Sequence, residues 1–236
     1  MEAVILAGGL GSRLRDEVPD LPKPMAPING RPFLEYLLDY WGSQGVDRFV
    51  LSVGYRSEII ETHFGSAYKG IEIDYAVETQ PRGTGGGLLL ALEHLHQPAP
   101  FLIVNGDTFF QVDLIRMRQH HDQAHADVTI ALRQLEKNNR YAGVAVDVNG
   151  RITSFDSNAR LAGPALINGG VYLARRAAFK DFSSAPISGV ISVEDRMFPE
   201  MLAAGRLLYG FSARGKFVDI GIPEDYRRAA EIMSNI

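Results

Sequence analysis

Residues 2–28 read EAVILAGGLGSRLRDEVPDLPKPMAPI, and the order of parts in this stretch decides the architecture. The apolar run EAVILA has the length of a buried strand and is too short for a helix. It ends at Gly8, Gly9 and Gly11. Arg13 and Arg15 follow, and then Lys23 between Pro22 and Pro24. A strand that runs into a bare turn aims backbone N–H groups at the carboxyl edge of a sheet, where open α/β folds bind ligands. Arg13 offers a planar fork of donors suited to phosphate oxygens, and Lys23 a compact charge on a proline-restricted backbone. Arg15 reads as a solvated loop charge.

Outward from this stretch, strand and helix patterns alternate. PFLEYLLDYWGSQG carries apolar residues at 33, 34, 37, 38 and 41 and stops at glycine, which predicts a helix. Strand RFVLSV, helix SEIIETHF, strand IEIDYAV, helix GGLLLALEHL and strand PFLIVNG follow. That order predicts an α/β fold, Rossmann-like, with a mostly parallel central sheet and helices on both faces. The second half predicts a helix near 113–125, strand DVTIALRQL, a hairpin AVDVNGRITSF turning at Asn149-Gly150, strand ALINGGVYLA and a helix near 193–204. Strands RLLYGF and KFVDIG come next, and the helix PEDYRRAAEIM opens on Pro223. No linker divides the chain. The expectation is one domain over 1–236, with a nucleotide-binding half at about 1–112 and an acceptor-binding half at about 113–236.

Bulk properties narrow the class. The chain has 236 residues, 46% hydrophobic and 22% charged, in the range of globular domains. A net charge of −4 offers no basic field for nucleic acid, so an anion must be held by local cations. With no cysteine, disulfides and thiolate metal sites are excluded. No leader pattern and no apolar run of membrane-spanning length is present, so the expected setting is cytoplasmic, without a membrane partner.

Three familiar patterns are set aside. GLGSRL lacks the third glycine of a dinucleotide fingerprint, since Leu14 stands there, and a proline-rich stretch replaces the helix that should follow. GFSARGK at 210–216 resembles a phosphate loop, but Phe217 occupies the position of the Mg²⁺-binding hydroxyl. In HHDQAH, His121 and His125 are four apart without the Glu and third ligand of a zinc site, and the segment is expected to be a solvated helix face.

A polyphosphate site calls for hard oxygen ligands. NGDTFF ends an apolar strand at Asp107 and KFVDIG ends another at Asp219. Such a pair suits Mg²⁺, which binds through one or two carboxylates plus substrate phosphates; taken singly, each aspartate is more often a turn or cap residue.

Taken together, LAGGLGSRL, PKPMAPI, GTGGGL, NGDTFF, INGGVYL, SVEDRMFPEML and DIGIPEDY, in this order from Ala3 to Tyr226, resemble the blocks of the sugar-phosphate nucleotidyltransferase family. The resemblance implies transfer of a nucleotidyl group from a nucleoside triphosphate to a sugar 1-phosphate, releasing pyrophosphate, with Mg²⁺ as cofactor. Within the family it favours GTP and a manno-configured heptose 1-phosphate, and a role in supplying bacterial surface polysaccharides. It implies a nucleotide site of Leu6, Ala7, Gly8, Gly9, Gly11, Ser12, Arg13, Lys23, Gly83, Thr84, Gly85 and Asp107. Arg13, Lys23 and Asp107 would be catalytic, Asp107 and Asp219 would hold the metal, and Gly143, Asn168, Gly169 and Glu194 would line the acceptor site.

One departure stands out. Many relatives place a Glu-Lys pair after the ITSF strand, its lysine gripping the sugar phosphate; here Ser157 and Asn158 fall there, leaving Lys137, Arg140, Arg160 or Lys216 as substitutes. A uridylyl- or thymidylyltransferase, an enzyme using a hexose 1-phosphate or phosphocholine, and a non-catalytic nucleotide-sugar sensor remain alternatives. Retention of Arg13, Lys23, Asp107 and Asp219 together argues against the sensor. A homodimer is left open, because an apolar helix face serves a core and an interface alike.

Overall fold

The computed structural model describes residues 1–9, 11, 14, 17–136, 141–156, 164–183 and 189–234. Its first half runs β1 (Glu2–Leu6), β2 (Pro27–Ile28), β3 (Arg31–Pro32), α1 (Phe33–Ser43), β4 (Arg48–Val53), α2 (Ser57–Phe64), β5 (Ala67–Tyr68), β6 (Ile71–Val77), α3 (Gly83–Leu92) and β7 (Phe101–Asn105). The second half adds β8 (Thr108–Phe110), α4 (Leu114–Gln123), β9 (Val128–Leu135), β10 (Gly143–Val146), β11 (Ile152–Asp156) and β12 (Ala165–Ala174). Then come α5 (Lys180–Ser183), a π-helical turn (Val193–Met197), α6 (Phe198–Ala203), β13 (Leu208–Ala213), β14 (Phe217–Asp219) and α7 (Pro223–Met233).

One sheet of ten strands passes through both halves in the order β11-β10-β12-β7-β1-β4-β6-β5, with β9 added beside β12 and β13 beside β9. The four strands at its centre, β7, β1, β4 and β6, are parallel. Beyond them β12 joins β7 antiparallel, so the sheet becomes mixed where the second half begins.

Alternation along β1 explains the layers. Ala3 and Ile5 pack with Phe33, Leu37 and Trp41 of α1, while Val4 faces the other way with Leu88 and Leu92 of α3. Burial on both faces is why the strands read as continuous apolar runs. At the amino ends of the strands, buried Arg48 donates to Glu2 at 2.9 Å, Glu72 at 3.0 Å and Asp74 at 2.9 Å, which staples β1, β4 and β6 together. The carboxyl ends are left free to bear the chemistry.

The histidine-rich segment departs from expectation. His121 is fully buried, and its Nδ1 lies 2.9 Å from Thr129 Oγ1 on β9. Leu114, Met117 and His121 form one stripe of α4 at helical spacing, and that stripe meets the sheet. His125 lies past the helix end with φ 48°, so the two imidazoles do not share a face. Among the described residues no helix is long and apolar enough to cross a membrane.

Candidate active site

The parallel strands end along one edge, and backbone hydrogen bonds carry the ladder past them. Ala7 N donates to Ser52 O at 2.7 Å, and Gly106 N to Leu6 O at 2.9 Å. These extensions wall a cavity of about 380 Å³. Leu6, Ala7, Gly8, Gly9, Gly83 and Thr84 line it together with Lys23 and Asp107. Gly11 packs against Lys23 and lines a small neighbouring recess. Ser12 and Arg13 lie outside the described residues, as do Lys137, Arg140, Ser157, Asn158 and Arg160.

Lys23 opens a short 3-10 turn, Lys23–Met25, and its side chain is only 12% exposed. From there Nζ donates to Asp107 Oδ2 at 2.8 Å. Asp219 arrives from far along the chain. β14 pairs antiparallel with β8 so that Asp219 stands opposite Thr108, and Ile220 N donates to Asp107 O at 2.9 Å. Gly221 N donates to Asp219 Oδ1 at 2.8 Å. A Cβ at Gly221 would lie 2.8 Å from Asp219 Oδ1, 3.1 Å from Lys23 Nζ and 3.3 Å from Asp107 Oδ2. Two carboxylates and one ammonium therefore converge on a single point, and a Cβ at Gly221 would crowd all three.

Among the described residues no group of three or more His, Cys, Asp and Glu side chains is assembled for a metal. A facing pair of hard oxygen donors beside a phosphate-sized opening is nevertheless the protein contribution that Mg²⁺ asks for, the rest coming from phosphate and water. The residues present fit that ion.

The cavity is also lined by a group that the sequence does not single out. Glu78 follows β6, and its carboxylate sits against Gly8 and Gly54. Burial raises its pKa above the usual carboxylate range, partly offset by a backbone N–H from Arg82. Ser52, Asn105, Gly106 and Val190 also line the cavity. Ser52, Asn105 and Gly106 share a position at or just past the end of a strand, whereas Val190 comes from the segment before the π-helical turn.

Gly143 lies on β10, Asn168 and Gly169 lie on β12, and Glu194 lies in the π-helical turn. Gly143 pairs with Ile167, and the β12–β9 register breaks between Asn168 and Tyr172, at Gly169 and Gly170. Glu194 Oε2 accepts from Thr84 Oγ1, in the first turn of α3, at 3.0 Å. Gly85, in the same turn, is buried, and its N–H donates to Ile191 O at 2.8 Å.

A nucleotide-sized cavity ending in paired carboxylates on this sheet defines a class, and the chain belongs to the nucleotidyl transferase family, whose model matches residues 2–235. It is an enzyme of that class. More particularly, it is 44% identical over 97% of its length to the D-glycero-alpha-D-manno-heptose 1-phosphate guanylyltransferase of Aneurinibacillus thermoaerophilus, covering 96% of that protein. It is 36% identical over 96% of its length to the enzyme of the same name from Campylobacter jejuni, covering 97% of it. The crystal structure of HddC from Yersinia pseudotuberculosis complexed with GMP-PN matches with a TM-score of 0.83 and 32% identity, over 98% of both chains.

Proposed function

We propose that this enzyme is a D-glycero-α-D-manno-heptose 1-phosphate guanylyltransferase, converting GTP and the heptose 1-phosphate to GDP-heptose and pyrophosphate. The observation that carries the reading is the convergence of Asp219 with Lys23 and Asp107, which line a cavity that Glu78 also lines. The two similar guanylyltransferases support the pairing of guanine with heptose.

Glu78 supports the base. Guanine presents N–H donors, including its exocyclic amine, on an edge where a carboxylate supplies only acceptors. The nucleoside would lie over the glycine turn, with the Gly83–Gly85 loop against base or ribose and the phosphates toward Lys23. In this reading Asn168, Gly169 and Gly143 belong to the acceptor side, and one domain carries both halves.

The chemistry follows from charge. Both substrates are anions, and the sugar phosphate already carries its nucleophilic oxygen, so no general base is needed. The protein has to bring the two together in line and stabilise the charge that develops at the α-phosphate and on the leaving group. Lys23, released from Asp107, neutralises the reacting phosphates. Arg13 is assigned to the departing pyrophosphate. Asp107 and Asp219 would hold Mg²⁺, which when bound supplies Lewis-acid neutralisation of phosphate oxygens. The proposed setting is the cytoplasm.

The test is pyrophosphate release measured with GTP, ATP, UTP and dTTP against a panel of sugar 1-phosphates. GTP with the manno-heptose 1-phosphate is expected to give the highest kcat/KM. A higher value for a pyrimidine triphosphate or a gluco-configured hexose 1-phosphate would reject this assignment in favour of the corresponding transferase.

A further inference from the structure

The Glu194 carboxylate is occupied by the protein itself. Oε2 accepts from Thr84 Oγ1 at 3.0 Å and from Ser192 Oγ at 3.3 Å, and Oε1 accepts from Asn105 Nδ2 at 3.1 Å and from the Tyr172 hydroxyl at 3.0 Å. A carboxylate has about four acceptor positions, and four donors fill them.

The donors come from both halves of the chain. Thr84 lies in the first turn of α3 and lines the nucleotide cavity. Its hydroxyl also accepts from Val193 N at 2.9 Å. Asn105 ends β7, two residues before Asp107, and lines the same cavity. Tyr172 is fully buried on β12, and its hydroxyl accepts from Asn168 Nδ2 at 3.0 Å. Asn168 Oδ1 in turn accepts from Gly170 N at 2.9 Å. Burial and the neighbouring carboxylate raise the Tyr172 pKa, so the phenol stays a donor. A backbone strap reinforces the contact, since Ile191 N donates to Arg82 O and Gly85 N to Ile191 O, each at 2.8 Å.

We propose that Glu194 is a positioning residue: it acts through Thr84 and Asn105 to hold the nucleotide loop and the Asp107 strand end against β12, and does not serve as a ligand of the sugar. The proposal rests on the nucleotidyltransferase reading of the cavity. It reassigns a residue expected on the acceptor side to the nucleotide side. A sugar ligand matters only when acceptor is bound, whereas a positioning residue matters to the nucleotide alone.

That difference sets the experiment. Binding of the non-hydrolysable β,γ-imido analogue of GTP, with Mg²⁺ and no acceptor, is measured by calorimetry on the full chain. Glu194→Gln keeps the shape but puts an amide donor among four donors, and Thr84→Val removes one donor from the nucleotide side. Each is expected to weaken the analogue by about tenfold, the scale of one hydrogen bond to a charged group. The double variant is expected to be no weaker than the worse single one, because both break one linkage. Thr84→Ser is expected to restore binding, and it keeps the test open should Glu194→Gln fail to fold. Additive losses, or a folded Glu194→Gln that binds the analogue like the wild type while the acceptor KM rises, would overturn the proposal. A wild-type protein that does not bind the analogue would instead reject the guanylyl reading.

Discussion

Lys23 Nζ lies 2.8 Å from Asp107 Oδ2 in a pair whose lysine is 12% exposed, so in the proposed mechanism the cation assigned to the phosphates rests on a carboxylate assigned to the metal. The two roles exclude each other at that oxygen, and the pair must open when a metal–nucleotide complex enters. Asp107→Ala is expected to lower turnover by ~10²–10³ or more while the protein stays folded. Lys23→Met is expected to lose turnover on the same scale, yet to bind Mn²⁺ more tightly than wild type in the absence of nucleotide. Free Mn²⁺ measured by electron paramagnetic resonance reads the second effect. Near-normal pyrophosphate release by folded Asp107→Ala, or weaker Mn²⁺ binding by Lys23→Met, would contradict this arrangement.

Gly221 gives a separate test of the same convergence. An alanine methyl there would enter the space bounded by Asp219 Oδ1 at 2.8 Å, Lys23 Nζ at 3.1 Å and Asp107 Oδ2 at 3.3 Å. No helix or strand depends on this position, which falls between β14 and α7. Gly221→Ala is therefore expected to shift Tm by only a few degrees, in line with a loss of about 1 kcal/mol, and to reduce kcat at least tenfold. Equal activity in the variant would mean that the three groups do not have to act on one point.

The parts of this site that were legible in sequence are those with a local signature. A strand ending in glycines marks the cavity floor, an apolar strand ending in Asn105-Gly106-Asp107 marks one carboxylate, and Pro223 marks the start of α7. Missing from any local pattern is the β8–β14 pairing, which joins Thr108 to Asp219 across more than half the chain's second part and makes two aspartates a pair. Glu78 carried no signal, because its setting is built by Gly8, Gly54 and Gly87 from three separate elements. His121 misled for the opposite reason: its polar neighbours suggest solvent, while helical spacing from Leu114 and Met117 turns it inward. Glu194 is singled out in the sequence only by the family resemblance, and its partners Thr84, Asn105 and Tyr172 come together only in three dimensions.

Glu78 is expected to set base preference. Replacing it by Gln substitutes one acceptor by a donor where guanine also donates. Glu78→Gln is expected to lower kcat/KM for GTP by about tenfold or more, on the scale of a charge-assisted hydrogen bond, and to narrow the ratio of GTP to UTP. Because burial raises the Glu78 pKa, the carboxylate of wild type should begin to protonate above the ordinary glutamate range. Its KM for GTP should therefore rise as pH falls through that raised value, and the variant should lose this dependence. An unchanged GTP-to-UTP ratio in Glu78→Gln would remove Glu78 from base recognition.

His121 predicts an acid limb in stability that is separate from catalysis. Burial, followed by the charge of Arg175, lowers its pKa to about 4, and Nε2 is buried without a partner among the described residues. The unfolded chain takes up a proton near the ordinary histidine value of about 6.5, while the native state refuses it. Stability is therefore fully present above about pH 6.5 and is lost as pH falls from there toward about 4. Replacing the pair by His121→Leu with Thr129→Val removes both partners of the buried contact, a change that need not destabilise the fold at neutral pH. Urea denaturation from pH 7.5 to 4.5 should show a steeper loss in wild type than in the double variant. Carboxylates whose pKa is lowered, such as Asp74 and Glu35, contribute equally to both proteins and cancel in the difference. Parallel acid limbs in the two proteins would mean that His121 is protonated in the native state as readily as in the unfolded chain.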